Sequence, residues 1–241
     1  ALILVYSIAC DDPNVSSFGG SKALAHLAQF VQATEMYFHP SNWGPWQEQL
    51  ATFVQHLTWT FARRVKAEKQ DDCRTPAEWR ITPRIQEEFV RILRTICLLS
   101  LFSKDPVTSL STQSSLKRMA FLQPELILPA ILQRSYNSLE ALETTQRTGV
   151  VIAVLATTSQ PMLSRSLYAA GAKHLAPLLH LCLPGIDMND SMKTMSTCMF
   201  ILSASISLVI SDASMNMDDY DDETLIRVDD ESVSTLSAED Y

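Results

Sequence analysis

The chain has 241 residues, of which 46% are hydrophobic and only six are glycine. There is ample apolar material for a core, and a supply of Leu, Ala, Ser and Gln with few glycines excludes a turn-rich β architecture in favour of helices. The net charge of −8 is uneven: from Ser211 onward eleven acidic residues face Arg227, giving −10, and the rest carries 18 basic and 16 acidic residues, or +2, so nucleic acid is not an expected partner.

Ala1 to Cys10 is apolar, but no basic residue precedes it and there is no initiator Met. An incomplete helix from a longer polypeptide is expected there, not a secretory leader. Ser21 can cap a helix to about Tyr37, with Leu24, Leu27, Ala28 and Val31 on one face. His39-Pro40 ends it, because proline disfavours the helical conformation of the preceding residue.

A second helix is expected from Pro45 towards Lys69, carrying Trp46, Leu50, Phe53, Val54, Leu57, Phe61 and Val65 at steps of three and four. Between these two helices stand Tyr37, Phe38, His39, Pro40, Trp43 and Trp46. A connection this aromatic is expected to bury most of itself, as a structural elbow that locks the helices together.

Further along, Thr75-Pro76-Ala77-Glu78 reads as a capping box, and Thr82-Pro83 starts a helix bearing Ile85, Phe89, Ile92, Leu93 and Ile96. Ser103-Lys104-Asp105-Pro106 breaks it, and a more polar helix follows to about Phe121. Helical segments are then expected near 126–136, 139–158, 172–183 and 190–209, punctuated by Pro161, Pro184-Gly185 and Asn189-Asp190.

Helix pairs of roughly 40 residues are the period of HEAT or armadillo repeats. The expected fold is therefore all-α: a solenoid of antiparallel helix pairs over 21–210, preceded by a helix and loop over 1–20. An acidic segment of low order, with little to bury, is expected over 211–241.

Five scattered cysteines, Cys10, Cys73, Cys97, Cys182 and Cys198, fit a reducing compartment better than a disulfide framework. The apolar run from Cys198 to Ile210 is short and interrupted by Ser203, Ser205 and Ser207, so no membrane span is expected.

The chain contains no Gly-rich phosphate loop, no Gly-x-Ser-x-Gly elbow and no His-Glu-x-x-His helix. His174, His180 and Cys182 lie close in sequence, but spacings of six and two do not make a metal pair on one helix face, and packing is the preferred reading. Asp187 and Asp190 around Asn189 read as a helix cap sooner than a calcium loop. His39 has no carboxylate or nucleophile nearby in sequence to make it a general base.

Arg63, Arg64 and Lys66, with Lys69, form the densest basic group and the one candidate for anion binding. Their place at a helix C-terminus, where cations complement the dipole, favours a structural role. Arg80, Arg84, Arg91 and Arg94 interleave with Glu87 and Glu88 as a solvated, salt-bridged face does, and Glu143 precedes Arg147 by the four residues of a helix-surface pair.

Several blocks recur in a distinctive order. After the elbow come Phe102-Ser103-Lys104, Ser138-Leu139-Glu140-Ala141-Leu142 with Thr145-Gln146-Arg147, then Leu183-Pro184-Gly185-Ile186-Asp187-Met188-Asn189-Asp190 with Lys193-Thr194. In that order the chain resembles, from about Ala23 to Ile210, the middle region of the large single-chain proteasome activator family, the proteasome substrate-size regulators.

The resemblance implies a HEAT-repeat solenoid that caps the end ring of the proteasome core particle. It implies action without ATP hydrolysis, no enzymatic activity or cofactor of its own, promotion of the breakdown of peptides and of unfolded or acetylated proteins, and a place in nucleus and cytoplasm with a role in DNA repair. The family opens the gate with a C-terminal hydrophobic-Tyr-any residue tail. This chain ends Ala238-Glu239-Asp240-Tyr241, with Tyr241 last instead of penultimate, so a fragment of the family's length is expected. A helical-repeat scaffold unrelated to the proteasome is the alternative, and a metal-dependent hydrolase on His174, His180 and Cys182 a third reading.

Overall fold

The computed structural model describes residues 1–15, 17–42, 44–70, 72–140 and 145–208, without the side chains of Thr145 and Gln146. The acidic segment, Trp43 and Glu143 lie outside the described residues, and so do the expectations placed on them. Among the described residues there are nine α-helices and no strand, with one isolated bridge between Asp187 and Asp190. The helices are α1 (Leu2–Tyr6), α2 (Lys22–Thr34), α3 (Pro45–Glu68), α4 (Pro83–Ser100), α5 (Pro106–Leu122), α6 (Pro124–Glu140), α7 (Thr145–Leu163), α8 (Leu175–Cys182) and α9 (Ser191–Ser207).

Their packing follows a two-row rule. In one row α3 lies on α5, α5 on α7 and α7 on α9; in the other α2 lies on α4, α4 on α6 and α6 on α8. Cross-contacts of α4 with α5 and of α6 with α7 join the rows. The helices from α4 to α7 therefore bury one side against their own row and another against the opposite row, which is how stacked helix pairs form a continuous core. Between α3 and α4, Phe61 and Phe89 stack with centroids 3.8 Å apart and planes 4° from parallel, both without solvent exposure.

Most boundaries follow local signals. Thr82 and Asp105 cap α4 and α5, their side-chain oxygens accepting the N–H of Ile85 at 3.3 Å and of Thr108 at 2.6 Å. Asp190 does the same for α9 through Lys193 N–H at 2.9 Å, which makes it the helix cap expected from the sequence.

Several starts and stops differ from the local reading, among them α6, which runs through Glu140 past the break expected after 136. Ser21 makes no capping bond; its hydroxyl is buried without a partner, and Asp11 Oδ2, eleven residues before Lys22, takes the Lys22 N–H at 2.7 Å. Asp11 is held there because its N–H donates to Gly20 O at 3.0 Å, and Gly20 adopts φ +75°, with an added Cβ falling 2.2 Å from Asp12 O. The capping box at Thr75 to Glu78 yields only the 3₁₀ turn Ala77–Trp79, without a side-chain cap. Thr82-Pro83 restarts the chain too soon for a helix to grow there, since Thr82 must be extended before proline. Finally, Pro161 lies inside α7, which continues to Leu163, because Met162 and Leu163 are buried and the proline removes only a last-turn hydrogen bond.

α5 is polar yet central. Thr108, Ser109, Ser111, Thr112, Gln113 and Ser115 are all buried, since α5 has neighbours in both rows. The small side chains let those helices approach, and most of their hydroxyls find partners: Ser115 Oγ donates to Ser111 O at 2.9 Å, and Ser100 and Thr112 hydroxyls meet at 2.9 Å, while the Thr108 hydroxyl is buried without one.

Candidate functional site

The elbow is not the buried lock expected of its composition. The turn is built from the 3₁₀ segment Glu35–Phe38 followed by an extended His39 before Pro40, and it enters α3 with Pro45 in the first turn. Among the described elbow residues only Phe38 is driven into the core, at 2% exposure, while Trp46 is 72% and Tyr37 44% exposed; His39 is exposed and Pro40 half-buried. The reason is helix phase. The face that α3 turns inward carries Gln47, Ala51, Val54, Thr58, Phe61 and Val65, and Trp46, one residue before Gln47, is rotated about 100° off it.

Trp46→Ala is therefore expected to change stability by no more than about 0.5 kcal/mol, as surface substitutions do, where a buried ring would cost about 3–5 kcal/mol. Chemical denaturation of the two proteins distinguishes these values.

The exposed rings frame a cleft. Met36, Tyr37, Asn42, Gly44, Trp46 and Gln47 line a cavity of about 330 Å³. Its geometry is held by backbone and amide bonds: Asn42 N–H donates to His39 O at 2.9 Å, Asn42 Nδ2 donates to Met36 O, and Gln47 Nε2 donates to His39 O at 3.4 Å. Ser41 N–H donates to His39 Nδ1 at 3.2 Å. Gln47 is 3% exposed, and its Oε1 has no hydrogen-bond partner.

The basic group Arg63, Arg64 and Lys66 is taken apart by the fold. Arg64 points inward with its side chain 4% exposed, where Nη1 donates to Val5 O at 2.6 Å and to Ile8 O at 2.8 Å, Nη2 to Trp79 O, and Nε to Glu68 Oε1 at 2.6 Å. The guanidinium is a structural clip: four of its five N–H donors are engaged, and its burial closes it to an incoming anion. Arg63 stays outside over the Trp59 ring at 5.4 Å, and Lys66 is exposed. In the looser group, Arg91 pairs with Glu87 at 2.6 Å and approaches Glu88 at 3.9 Å on a solvated face, whereas Arg80 Nε donates to Thr75 O and Arg94 is half-buried with its Nε unpartnered.

No group of three or more His, Cys, Asp or Glu able to hold a metal occurs among the described residues. His174 Nδ1 meets Tyr136 OH at 3.1 Å, His180 is exposed, and Cys182 is buried. Burial, and then Lys173, lowers the His174 pKa. Burial pushes the thiols of Cys97 and Cys182 up to about 12. At pH 8 both are almost wholly protonated, so iodoacetamide should modify exposed Cys198 readily and reach Cys97 and Cys182 only after unfolding. Mass spectrometry of the native and denatured protein checks this.

The larger cavity, about 1010 Å³, opens between α7 and α9. Its wall mixes Ser159, Gln160, Ser164 and Ser203 with the cations Lys117 and Arg165. No helix among the described residues is long and apolar enough to cross a membrane.

Taken together, these are packing devices and surface clefts on a two-row helical stack. Residues 27–239 match the model of the family described as proteasome activator complex subunit 4, mid HEAT repeats region. The chain belongs to that family. Human proteasome activator complex subunit 4 is 32% identical over 213 residues, 86% of this chain and 11% of the relative. The Xenopus laevis protein of that name is 32% identical over 210 residues, 85% and 11% respectively. Arabidopsis thaliana proteasome activator subunit 4 is 27% identical over 208 residues, 81% and 11%. The chain thus spans about a tenth of the length of these relatives. The all-α HEAT-like fold expected from the helix period is the one observed among the described residues.

Proposed function

We propose that this region is a non-catalytic section of the wall of an ATP-independent activator that caps the proteasome core particle at its end ring. In this reading the whole protein promotes degradation of peptides and of unfolded or acetylated proteins, in nucleus and cytoplasm, with a contribution to DNA repair. The observation that carries it is the match to the mid HEAT-repeat region over 27–239, on a chain whose helices stack in two rows. Stacking of this kind holds distant contact points at fixed separation, so the contribution of this section is shape.

The outer face of α9 supports a wall that continues. Met192, Met195, Met199, Leu202 and Ile206 recur at steps of three and four and are 46–76% exposed, an apolar row suited to a further helix. The test uses the full-length protein with purified core particle. At low salt the two should co-sediment, and hydrolysis of a fluorogenic peptide should rise without ATP. Absence of both association and stimulation would refute the reading.

A further inference from the structure

We propose that the cleft at the elbow is a binding site for a cationic side chain, an arginine guanidinium, presented by a peptide or protein partner. Three observations converge there. First, two aromatic side chains that the fold could have buried are left at the surface on one cavity wall: Trp46 is 72% and Tyr37 44% exposed, with Met36 beside them at 67%. Exposed indole and phenol faces attract a cation through the ring quadrupole, and a planar guanidinium stacks on them as an ammonium cannot.

Second, Gln47 forms part of the same wall, is 3% exposed, and leaves Oε1 without a partner. A buried acceptor with no donor is costly, and the groups that relieve it are N–H donors. The other end of this amide is already engaged, since Nε2 donates to His39 O. The oxygen is thus the free end of a buried amide, and a donor that displaces the side chains over it would satisfy it.

Third, the local charge has the required sign. No Lys or Arg occurs between Lys22 and Arg63, while Glu35 and Glu48, both exposed, immediately precede Met36 and follow Gln47. The lysines and arginines of α2 and α3 lie at the far ends of those helices, and of the arginines on α4, which packs on the turn, Arg91 is paired with Glu87. Phe38, buried beneath, fixes the turn so that the rings and the amide hold their places before a ligand arrives. The site stands independently of the proteasome-capping role, since it rests on the cleft's own chemistry.

The experiment is fluorescence anisotropy of the full-length protein with a fluorescein-labelled Gly-Ser peptide carrying two arginines. Matched peptides carry citrulline, which keeps the shape and loses the charge, or lysine. The arginine peptide should bind saturably, and Trp46→Ala and Tyr37→Ala should each weaken it by roughly fivefold or more. Trp79→Ala, which removes an indole 57% exposed outside the cleft, should leave binding unchanged. Both cleft variants alter exposed rings, so folding is preserved; Gln47→Leu, in the core, is a secondary variant expected to weaken binding as well. Citrulline or lysine peptides binding as tightly as arginine, or unchanged binding in Trp46→Ala and Tyr37→Ala, would overturn the proposal.

Discussion

Replacing Arg64 by methionine should destabilise the fold by about 3–5 kcal/mol, the usual cost of removing one partner from a buried ion pair. The change keeps most of the side-chain volume but strips donors from the carbonyls of Val5, Ile8 and Trp79, and leaves Glu68, 7% exposed, without its cation. Glu68 is itself engaged, with Oε2 accepting the Ile81 N–H at 2.7 Å. The pair therefore ties α1, the C-terminal end of α3 and the strap before α4 to one another. Lys66→Ala, on the exposed side of the same helix, should lie within about 0.5 kcal/mol of the parent. Urea unfolding followed by circular dichroism measures both, and a methionine variant within 1 kcal/mol of the parent would contradict the clip.

The second large effect is expected at the stacked pair Phe61 and Phe89. Either residue changed to alanine should cost about 3–5 kcal/mol, because each ring is fully buried and fills the junction between α3 and α4. The double variant should cost less than the sum of the two singles, by about 0.5–1.5 kcal/mol, since the second ring has already lost its stacking partner. A strictly additive pair would mean that the two rings share a core without interacting directly.

Much of the helical order could be read locally. Thr82-Pro83 and Asp105-Pro106 begin α4 and α5 where their side chains cap them, and the spacing of Ile85, Phe89, Leu93 and Ile96 marks the buried face of α4. Those signals lie within one or two turns of the residues they control. The functional surface was less legible. Arg64 and Lys66 look alike in a basic run at a helix end, yet 100° of rotation per residue sends one into the core and leaves the other in solvent.

Steps of three and four from Leu50 and Phe53 place Trp46 in the row expected to be buried. What excluded it is Gln47, whose burial next door sets the phase of the first turn of α3. The polar composition of α5 gave no hint of its central place, because a helix with neighbours in both rows needs small residues more than apolar ones.

The sequence by itself determined that the protein is helical, where most helices begin, and, through the order of its blocks, the family to which it belongs. These depend on caps, prolines and periodicity, which act over a few residues, and on word order along the chain. The tertiary structure decided which side of each helix is inside. That choice made Arg64 a clip, buried a row of hydroxyls in α5, and turned an expected lock at the elbow into an open aromatic cleft with an unpartnered acceptor. The physical reason is that burial is settled by neighbours distant in sequence, and no local pattern carries the rotation that sets them face to face.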